Sequence, residues 1–292
     1  MQYNEVVGMK ILMCADGSKI SENAIHFGGL LAKAFDAEVV VLHVIENPKF
    51  DNSKEILKNA LGILEKFNIK PKTKTRRGQP ELKIIDEAKK NYDLIVLGSH
   101  GMSSIKRFLF GDVAYRIVQC VEIPALIVRE RRNKLRKILM CCGGSKYSRE
   151  VMNFGVKIAR AINAEVTLLH VLPNVPEMFR SFGIDETVEQ FLKIDTPESR
   201  ILKETAKLLE KNSIGANIEL RHGFPPEEIL KEAEGGDYDM IIIGSHGMFG
   251  VRRFLLGAVA YKVVQHSRIP CLLVKPKKFK FLSSLAAYKI RF

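Results

Sequence analysis

The sequence predicts an α/β protein that contains two tandem domains, each a parallel sheet with helices on both faces. Short, almost uninterrupted apolar runs alternate with segments of helical periodicity, which is the pattern of strands buried on both sides of a sheet. The segment GSHGMSSIKRFLFGDVAY at 98–115 returns as GSHGMFGVRRFLLGAVAY at 244–261, which indicates a duplicated unit. The chain of 292 residues is long enough for two domains of ordinary size. Because strand–helix–strand crossovers are right-handed, each sheet should be doubly wound.

The first repeat opens with the apolar run KILMCA at 10–15, which predicts a buried strand and is followed by a turn at DGS. Residues 21–35 have the apolar spacing of a helix, with Ser21 as the predicted N-cap. The run AEVVVLHVI at 37–45 predicts a second buried strand, and 52–67 predicts a second helix. This alternation of strand and helix is typical of a parallel sheet.

The rest of the first repeat continues the alternation. A more polar strand is predicted at 70–78, ahead of a helix at 80–90 that has proline in its first turn. The apolar run at 93–98 predicts the fourth strand and leads into the repeated loop. Helical spacing returns at 112–121, and the run at 124–130 closes the repeat as a fifth strand.

The second repeat follows the same order. Its predicted strands lie at 136–142, 164–172, 217–223, 239–244 and 270–276, and its helices at 148–162, 197–212, 226–235 and 258–267. Early landmarks are offset by 127 positions from their counterparts and late ones by 146, so this copy carries 19 extra residues after its second strand. The insertion falls within 173–196 and contains Phe179, Phe182 and Phe191. It could act as a lid or interaction surface, or it could pack against its own domain.

These boundaries divide the chain into a first domain at 1–132, a second at 133–276 and a C-terminal tail at 277–292. The formal net charge is +13, and five cations lie in the tail, which has no acidic residue. Another basic cluster, RERRNKLRK at 129–137, lies between the repeats. Elsewhere lysines mostly alternate with acidic residues, the pattern of solvated helix faces. Nucleic acid is therefore not the favoured partner, although a basic-tail adaptor for nucleic acid or a membrane surface stays an alternative.

Composition and the N-terminal sequence predict a cytoplasmic protein. No apolar run reaches about 18 residues, the length that a transmembrane helix needs, and the N-terminus has no apolar core of signal-peptide length. The five cysteines show no metal-ligand spacing, and their odd number argues against a disulfide framework. We therefore expect reduced thiols, with Cys14, Cys141, Cys142 and Cys271 in buried strands.

The repeated loop has the form of a phosphate-binding segment. Gly98 ends a predicted strand, Gly101 follows after two residues, and Gly111 precedes a predicted helix. Glycines let backbone N–H groups approach an anion, and a helix N-terminus presents free N–H groups and a positive dipole end. The alternative is that the glycines serve only the geometry of the turn. The segment is neither a Walker A loop nor a G-x-G-x-x-G fingerprint.

The spacing Gly98-x2-Gly101-x9-Gly111, together with KILMCADGS, DLIVLGSHG and IPALIV, resembles the universal stress protein family. The resemblance occurs in both repeats and covers nearly all of 9–276. It implies two flavodoxin-like (Rossmann-like) domains with strand order 3-2-1-4-5, associated about a pseudo-twofold axis with their fifth strands side by side. The resemblance therefore implies a pseudo-dimer within one chain, and a further homodimer is left open.

The resemblance also implies a site for an adenine nucleotide (ATP, ADP or AMP) in each domain. Adenine would lie near Ala15 and Val44, the ribose at Asp16, and the phosphates on the glycine loop. The residues implied in the first domain are Ala15, Asp16, Val44, Leu97, Gly98, Ser99, His100, Gly101, Gly111, Asp112 and Val113. Those implied in the second domain, where weaker binding is expected, are Val171, Gly244, Ser245, His246, Gly247, Gly257, Ala258 and Val259.

Three positions depart from the family pattern. In that pattern Ser or Thr follows the third glycine, but this chain has Asp112 and Ala258 there. The pattern also has an aspartate at the end of the first strand, which is Asp16 in the first repeat but Gly143 in the second. Asp112 could cap the helix, or it could hold Mg²⁺ or Mn²⁺ beside the phosphates. Without a metal, its charge would repel a terminal phosphate. We therefore expect nucleotide mainly in the first domain.

Three functions compete on the sequence alone. The favoured one is a non-enzymatic, nucleotide-binding protein of stress response or signalling. For that function we expect at most slow ATP hydrolysis. An ATP-hydrolysing or adenylating enzyme of a related fold is one alternative, and the basic-tail adaptor is the other. The enzyme is disfavoured because Tyr147 stands where such enzymes carry an acid in their pyrophosphate loop. His100 and His246 have no patterned carboxylate or nucleophile nearby, so neither is predicted to be catalytic.

Overall fold

The computed structural model describes residues 8–100, 111–143, 147–172, 187–245 and 256–275. We call the elements before residue 133 the first half and the later ones the second half. The first half contains, in chain order, β1 Lys10–Cys14, α1 Lys19–Ala34, β2 Glu38–Ile45, α2 Ser53–Glu65, β3 Lys72–Arg77, α3 Pro80–Ala88, β4 Leu94–Gly98, α4 Asp112–Cys120 and β5 Ala125–Val128.

The second half repeats this plan and adds a short helix. It contains, in chain order, β6 Lys137–Cys142, α5 Ser148–Ile162, β7 Glu165–Leu172, α6 Val188–Lys193, α7 Pro197–Lys211, β8 Ala216–His222, α8 Pro225–Gly235, β9 Met240–Gly244, α9 Ala258–His266 and β10 Cys271–Val274. The α/β class predicted from the sequence is confirmed.

All ten strands belong to one sheet in the order β3-β2-β1-β4-β5-β10-β9-β6-β7-β8. Each half has the predicted order 3-2-1-4-5, and its strands are parallel. The fifth strands β5 and β10 pair antiparallel, with Leu126 opposite Leu272. The carboxyl ends of the two sets of strands therefore point to opposite edges of the sheet, and so do the two predicted sites.

The core covers both faces of the sheet and continues from one half into the other. Along β1, Ile11 and Met13 belong to one buried layer and Leu12 to the opposite one, as the alternation of a strand requires. Helices α1, α2, α5 and α7 cover the first layer, and α3, α4, α8 and α9 cover the second. Each fully buried large aliphatic or aromatic side chain stabilises the fold by roughly 1.5–3 kcal/mol, so the strand ends have a rigid support.

The start of α1 differs from the prediction that Ser21 is its N-cap. The N-cap is Ser18, whose Oγ accepts the N–H of Ser21 at 3.1 Å. Ser21 lies in the first turn, and its own hydroxyl donates to the Ser18 carbonyl oxygen at 3.1 Å. Both serines suit a cap, and the preceding turn decides between them because Gly17 has a φ of +83° that favours glycine.

The insertion of the second half contains α6, which the sequence reading did not predict. Thr187 and Gln190 form a capping box at its start. Phe191 on this helix is buried, and its ring stacks on His170 with a centroid distance of 5.3 Å. This part of the insertion packs against its own half, whereas Phe179 and Phe182 lie outside the described residues. So does the tail at 277–292.

None of the helices among the described residues combines the length and the apolar character that a membrane span requires.

Candidate functional site

The candidate site of the first half lies where β1 ends between β2 and β4. Both neighbours pair with β1 in parallel, so the chain leaves these strands at one edge of the sheet. Ala15 and Asp16 follow β1, Val44 lies near the end of β2, and Gly98 ends β4. The chain crosses to opposite faces at this point, which is where open α/β sheets bind ligands.

Asp16 is held in a tight turn at this edge. Its Oδ1 accepts the N–H of Ser18 at 2.8 Å, and its own N–H donates to the Ser21 hydroxyl at 3.3 Å. Within the described part of the chain, Oδ2 accepts no hydrogen bond. The carboxylate is half-buried, so one oxygen orients the side chain and the other remains available at the crevice.

Backbone hydrogen bonds bring the two ends of the glycine loop together. Ser99 is buried, and its N–H donates to the Val128 carbonyl of β5 at 2.8 Å. The Ser99 carbonyl in turn accepts the N–H of Gly111 at 2.8 Å. Residues 101–110, which include Gly101, lie outside the described residues. The loop therefore returns to its starting point, and α4 begins beside the end of β4.

Close packing explains the glycine at each end of this loop. A Cβ at Gly111 would lie 3.1 Å from the Ser99 carbonyl oxygen and 3.3 Å from the His100 Cα. A Cβ at Gly98 would lie 3.1 Å from Cγ2 of Ile20 and 3.3 Å from the His100 carbonyl oxygen. Backbone atoms can yield little here, so both positions favour glycine on steric grounds. This steric reason does not exclude a ligand.

His100 is buried and carries an unsatisfied nitrogen. Its Nδ1 lies 2.8 Å from the Ser99 hydroxyl, and its Nε2 has no hydrogen-bond partner among the described residues. Burial lowers the pKa of His100, and the nearby Arg129 guanidinium lowers it further. The imidazole is therefore neutral near pH 7, and it can offer or accept a hydrogen bond without adding charge.

The helix N-terminus at the loop is capped by backbone only. Gly111 is the N-cap of α4 and makes no side-chain capping bond, so the expectation that Asp112 could be the cap is wrong. Asp112 is the first helical residue and is exposed, and Val113 is partly exposed beside it. The first turn of a helix has N–H groups without intrahelical acceptors, and these face the same edge as Asp16. Leu97, one residue before Gly98, is a buried core residue.

Asp112 is the metal ligand that the sequence analysis considered. The described residues contain no group of three or more His, Cys, Asp or Glu side chains that could hold a metal ion. A single exposed carboxylate would fit Mg²⁺ only together with phosphate oxygens and water, which is how Mg²⁺ is commonly bound with nucleotides.

The two ends of the glycine loop in the second half make the same backbone hydrogen bonds as those in the first half. Ser245 donates its N–H to the Val274 carbonyl at 3.0 Å, and its own carbonyl accepts the Gly257 N–H at 2.8 Å. Gly257 is the N-cap of α9, which begins at Ala258 with Val259 following. Gly244 ends β9 beside Ser245. His246 and Gly247 lie outside the described residues.

The ends of the first strands distinguish the two halves. His43 approaches the Ala15 carbonyl oxygen through Nδ1 at 2.8 Å, and His170 approaches the Cys142 carbonyl oxygen in the same way at 2.9 Å. Both histidines thus tie neighbouring strands together, one residue before Val44 and Val171. In the second half, however, Gly143 offers only a backbone carbonyl at this edge, which accepts a hydrogen bond from the Ser148 hydroxyl.

The sequence model of the universal stress protein family matches residues 9–129 and again residues 134–275. This chain belongs to the universal stress protein family. A universal stress protein of Methanocaldococcus jannaschii is 33% identical over 154 residues, which cover 52% of this chain and 89% of that relative. A universal stress protein of Synechocystis sp. is 20% identical over 303 residues, which cover 90% of this chain and 98% of that relative.

Solved structures of the family share the fold over both halves. A universal stress protein from Archaeoglobus fulgidus matches with a TM-score of 0.69 at 20% identity, covering 91% of this chain and 98% of that chain. This family member is therefore a tandem protein whose two halves correspond to two copies of the family domain.

Two cations at the junction of the halves are absent from the site residues predicted from the sequence. Arg129 follows β5 and lowers the pKa of His100, and Lys275 occupies the equivalent position after β10. The sequence places Arg129 in the basic cluster between the repeats. The repeat itself carries the signal, because both copies have a cation directly after the fifth strand.

Proposed function

We propose that this universal stress protein binds an adenine nucleotide (ATP, ADP or AMP), mainly in its first half, and acts in stress response or signalling without enzymatic turnover. The observation that carries the proposal is one juxtaposition. The half-buried Asp16 carboxylate lies at the same sheet edge as the loop ends at Gly98 and Gly111, from which α4 departs.

The phosphate part of the proposal rests on unsatisfied donors. The N-terminus of α4 begins beside Ser99, and its first N–H groups and dipole favour an anion. The buried Nε2 of His100 has no partner among the described residues, and a buried polar atom without a partner is uncommon in folded proteins. A phosphate oxygen at this loop would satisfy the first N–H groups of α4 and, when the imidazole proton is on Nε2, the ring of His100.

The nucleoside part of the proposal rests on Asp16. The hydrogen bond to the Ser18 N–H at 2.8 Å holds one carboxylate oxygen and leaves Oδ2 for a ribose hydroxyl. The second half has Gly143 at the equivalent place. The loss of one neutral or charge-assisted hydrogen bond costs on the order of 1 kcal/mol, which is several-fold in affinity. We therefore assign the tighter site to the first half.

The absence of turnover is proposed from the chemistry of the described residues. A general base needs a pKa near the working pH and a geometry that reaches the attacking water. His100 is neutral, but its Nδ1 is engaged by Ser99, and no carboxylate hydrogen-bonds to its ring within the described part of the chain. We expect hydrolysis well below about 1 s⁻¹, the lower end of the ordinary enzyme range.

The test combines mass spectrometry of nucleotide released from the purified protein with calorimetric titration of ATP, ADP and AMP. Asp16→Ala should weaken the tighter phase several-fold, while Asp86→Ala, which removes an exposed carboxylate on α3, should leave it unchanged. Two equivalent sites, or no binding at all, would refute the proposal. Steady multiple-turnover hydrolysis at about 1 s⁻¹ or faster would refute its non-enzymatic part.

A further inference from the structure

The last turn of α4 is held by a side chain from the second half. The Nζ of Lys275, directly after β10, donates to the carbonyl oxygens of Val118, Gln119 and Val121. These carbonyls lie in the final turn of α4 or just after it, where intrahelical donors run out. An ammonium has three N–H donors, so this one lysine can bond all three acceptors.

This lysine keeps its charge in a place where burial opposes it. Burial lowers the pKa of Lys275 to about 8, and the nearby Cys120 and Glu122 only partly offset that effect. The ammonium is still the main form at pH 7, and it faces the negative dipole end of α4. No carboxylate forms an ion pair with it within the described part of the chain. Its binding partner is therefore the helix terminus itself.

The equivalent residue of the first half makes the reciprocal contact with a helix of the second half. Arg129, directly after β5, donates from its guanidinium to the Gln265 carbonyl in the last turn of α9 at 2.8 Å. The two halves thus exchange cations at the C-termini of the helices that follow their glycine loops. A second contact joins the same helices, because Tyr115 of α4 and Tyr261 of α9 meet edge to face at 5.3 Å.

We propose that Lys275 is a positioning residue for the nucleotide site of the first half, acting through α4. The inference rests on the proposed function, because it concerns how that site is held. A helix of nine residues is about 14 Å long and behaves as a rigid rod. The N-terminal end is bonded to Ser99 through the Gly111 N–H, so holding the C-terminal end fixes the direction in which the helix presents Gly111 and Asp112 to the phosphates.

The exchange makes each site depend on the other half of the chain. The first-half site uses the strands and loop of its own half, but one end of its phosphate-binding helix is anchored by Lys275. Arg129 has a dual position, since it lies near His100 of its own half and also anchors α9. Lys275 therefore gives the cleaner test of action across the junction.

The experiment compares ATP with adenosine on the full chain by calorimetric titration of the tighter phase. Lys275→Met should weaken ATP binding by about tenfold and change adenosine binding less than twofold, because only the phosphates meet α4. Lys275→Gln keeps two N–H donors without the charge. It should lower ATP affinity less than Lys275→Met does and leave adenosine affinity unchanged. Lys275→Arg should restore ATP affinity to within about threefold. Lys262→Met is the matched control, since it removes an exposed lysine of α9 that contacts Phe224.

The outcomes separate this inference from the proposed function. If the unaltered protein binds neither ATP nor adenosine, the proposed function fails first. If it binds both and Lys275→Met binds ATP as tightly as before, the positioning role is wrong while nucleotide binding stands. An equal loss for ATP and adenosine would also overturn the inference, because it would indicate a general loss of structure. If Lys275→Met does not fold, the same comparison is read from Lys275→Gln.

Discussion

The two halves keep the same backbone contacts at the edges where their sites are proposed. Ser99 and Ser245 each donate to the fifth strand and accept from the glycine that is the N-cap of the following helix, at similar distances. His43 and His170 each tie the second strand to the end of the first. These contacts use backbone atoms or buried side chains, so they depend on the fold and are shared by both copies.

The side chains that would meet a ligand differ between the halves. The first half has Asp16 after its first strand and Asp112 at the start of its helix, whereas the second has Gly143 and Ala258. These positions are exposed or half-buried, so the fold tolerates either residue. The backbone geometry of this edge and its side-chain chemistry are therefore separable.

The largest effect is expected from Gly98→Val, which alters the shared backbone geometry. The new Cβ would lie 3.1 Å from Cγ2 of Ile20 and 3.3 Å from the His100 carbonyl oxygen, and the two methyl groups would need further room. The loop must shift, and nucleotide binding in the first half should weaken by about 100-fold, or roughly 2.7 kcal/mol. Calorimetric titration measures the loss. Gly62→Val, at an open position on α2, serves as the control, and unchanged binding in Gly98→Val would contradict the prediction.

The two halves also differ in how they surround a buried carboxylate, and this difference should affect their stability. Glu87 of α3 is buried and accepts hydrogen bonds from Lys74 and Lys90 at 2.7 Å and from Arg76 and Tyr92 at 3.0 Å. Burial alone would raise the pKa of Glu87, but the hydrogen bonds from these donors outweigh it and lower the pKa to about 2. The first half thus surrounds one carboxylate with three cations.

The counterpart in the second half has fewer donors. Glu232 of α8 accepts from Tyr238 at 2.6 Å and from Arg221. Burial again opposes the charge, and the two hydrogen bonds lower the pKa of Glu232 below its ordinary value. We therefore expect Glu87→Gln to cost more stability than Glu232→Gln.

For Glu87→Gln we expect a loss of about 2 kcal/mol at pH 7, less than the full pKa shift implies because the three cations remain partly exposed. A carboxyl whose pKa is lower in the folded state stabilises the fold above its unfolded pKa, near 4.5, and loses that contribution as pH falls towards 2. Urea unfolding at a series of pH values from 7 down to about 2.5 measures the effect, because this range spans the loss of the carboxylate contribution. A difference from the unaltered protein that is constant below pH 4.5 would argue against the linkage.

Most elements could be predicted from the sequence because their signals are local. Residues 148–162 were predicted as a helix and form α5 with the same bounds, since the apolar spacing and both ends are visible in the sequence. The helix α6 was missed because six residues inside an insertion give little periodicity, although the capping box of Thr187 and Gln190 was readable. The start of α1 was misplaced because Ser18 and Ser21 are equally good caps in isolation.

The glycine loop of the candidate site could be predicted from the sequence, but the contacts that hold the helix behind it could not. The glycines and Asp16 lie in recognisable words of the sequence. The contact of Lys275 with α4 joins residues more than 150 positions apart, and it exists only because β5 and β10 pair antiparallel. No local pattern encodes such a contact, whereas a comparison of the two repeats at Arg129 and Lys275 would have marked both positions.

A tenfold change in ATP affinity is expected from a substitution at the start of α4. Asp112 places a negative charge at the first position of α4, close to where a terminal phosphate would meet the helix. Asp112→Ser should raise ATP affinity about tenfold without a metal and leave AMP affinity nearly unchanged, because a charge contact in a partly exposed site is worth about 1–2 kcal/mol. Mg²⁺ should help ATP in the unaltered protein more than in the variant.

The matched variant for that test is Ala258→Ser in the second half. It adds the same hydroxyl without removing a charge, so it should strengthen ATP binding in the second half by less than Asp112→Ser does in the first. If ATP affinity in Asp112→Ser is unchanged and indifferent to Mg²⁺, the carboxylate does not face the phosphates.

The smallest effect, and the most direct test of separable geometry and chemistry, is expected from Gly143→Asp. Among the described residues, a Cβ at Gly143 meets only the Ser148 hydroxyl oxygen, at an ordinary contact distance of 3.9 Å, so a Cβ is accommodated at this position. If Asp16 supplies one ribose contact worth about 1 kcal/mol, the same carboxylate at 143 should strengthen nucleotide binding in the second half several-fold. Gly143→Ala adds the Cβ alone and controls for backbone stiffening. Titration curves in which Gly143→Asp and Gly143→Ala coincide would mean that the difference between the halves does not lie in this carboxylate, and that the second site differs in its loop instead.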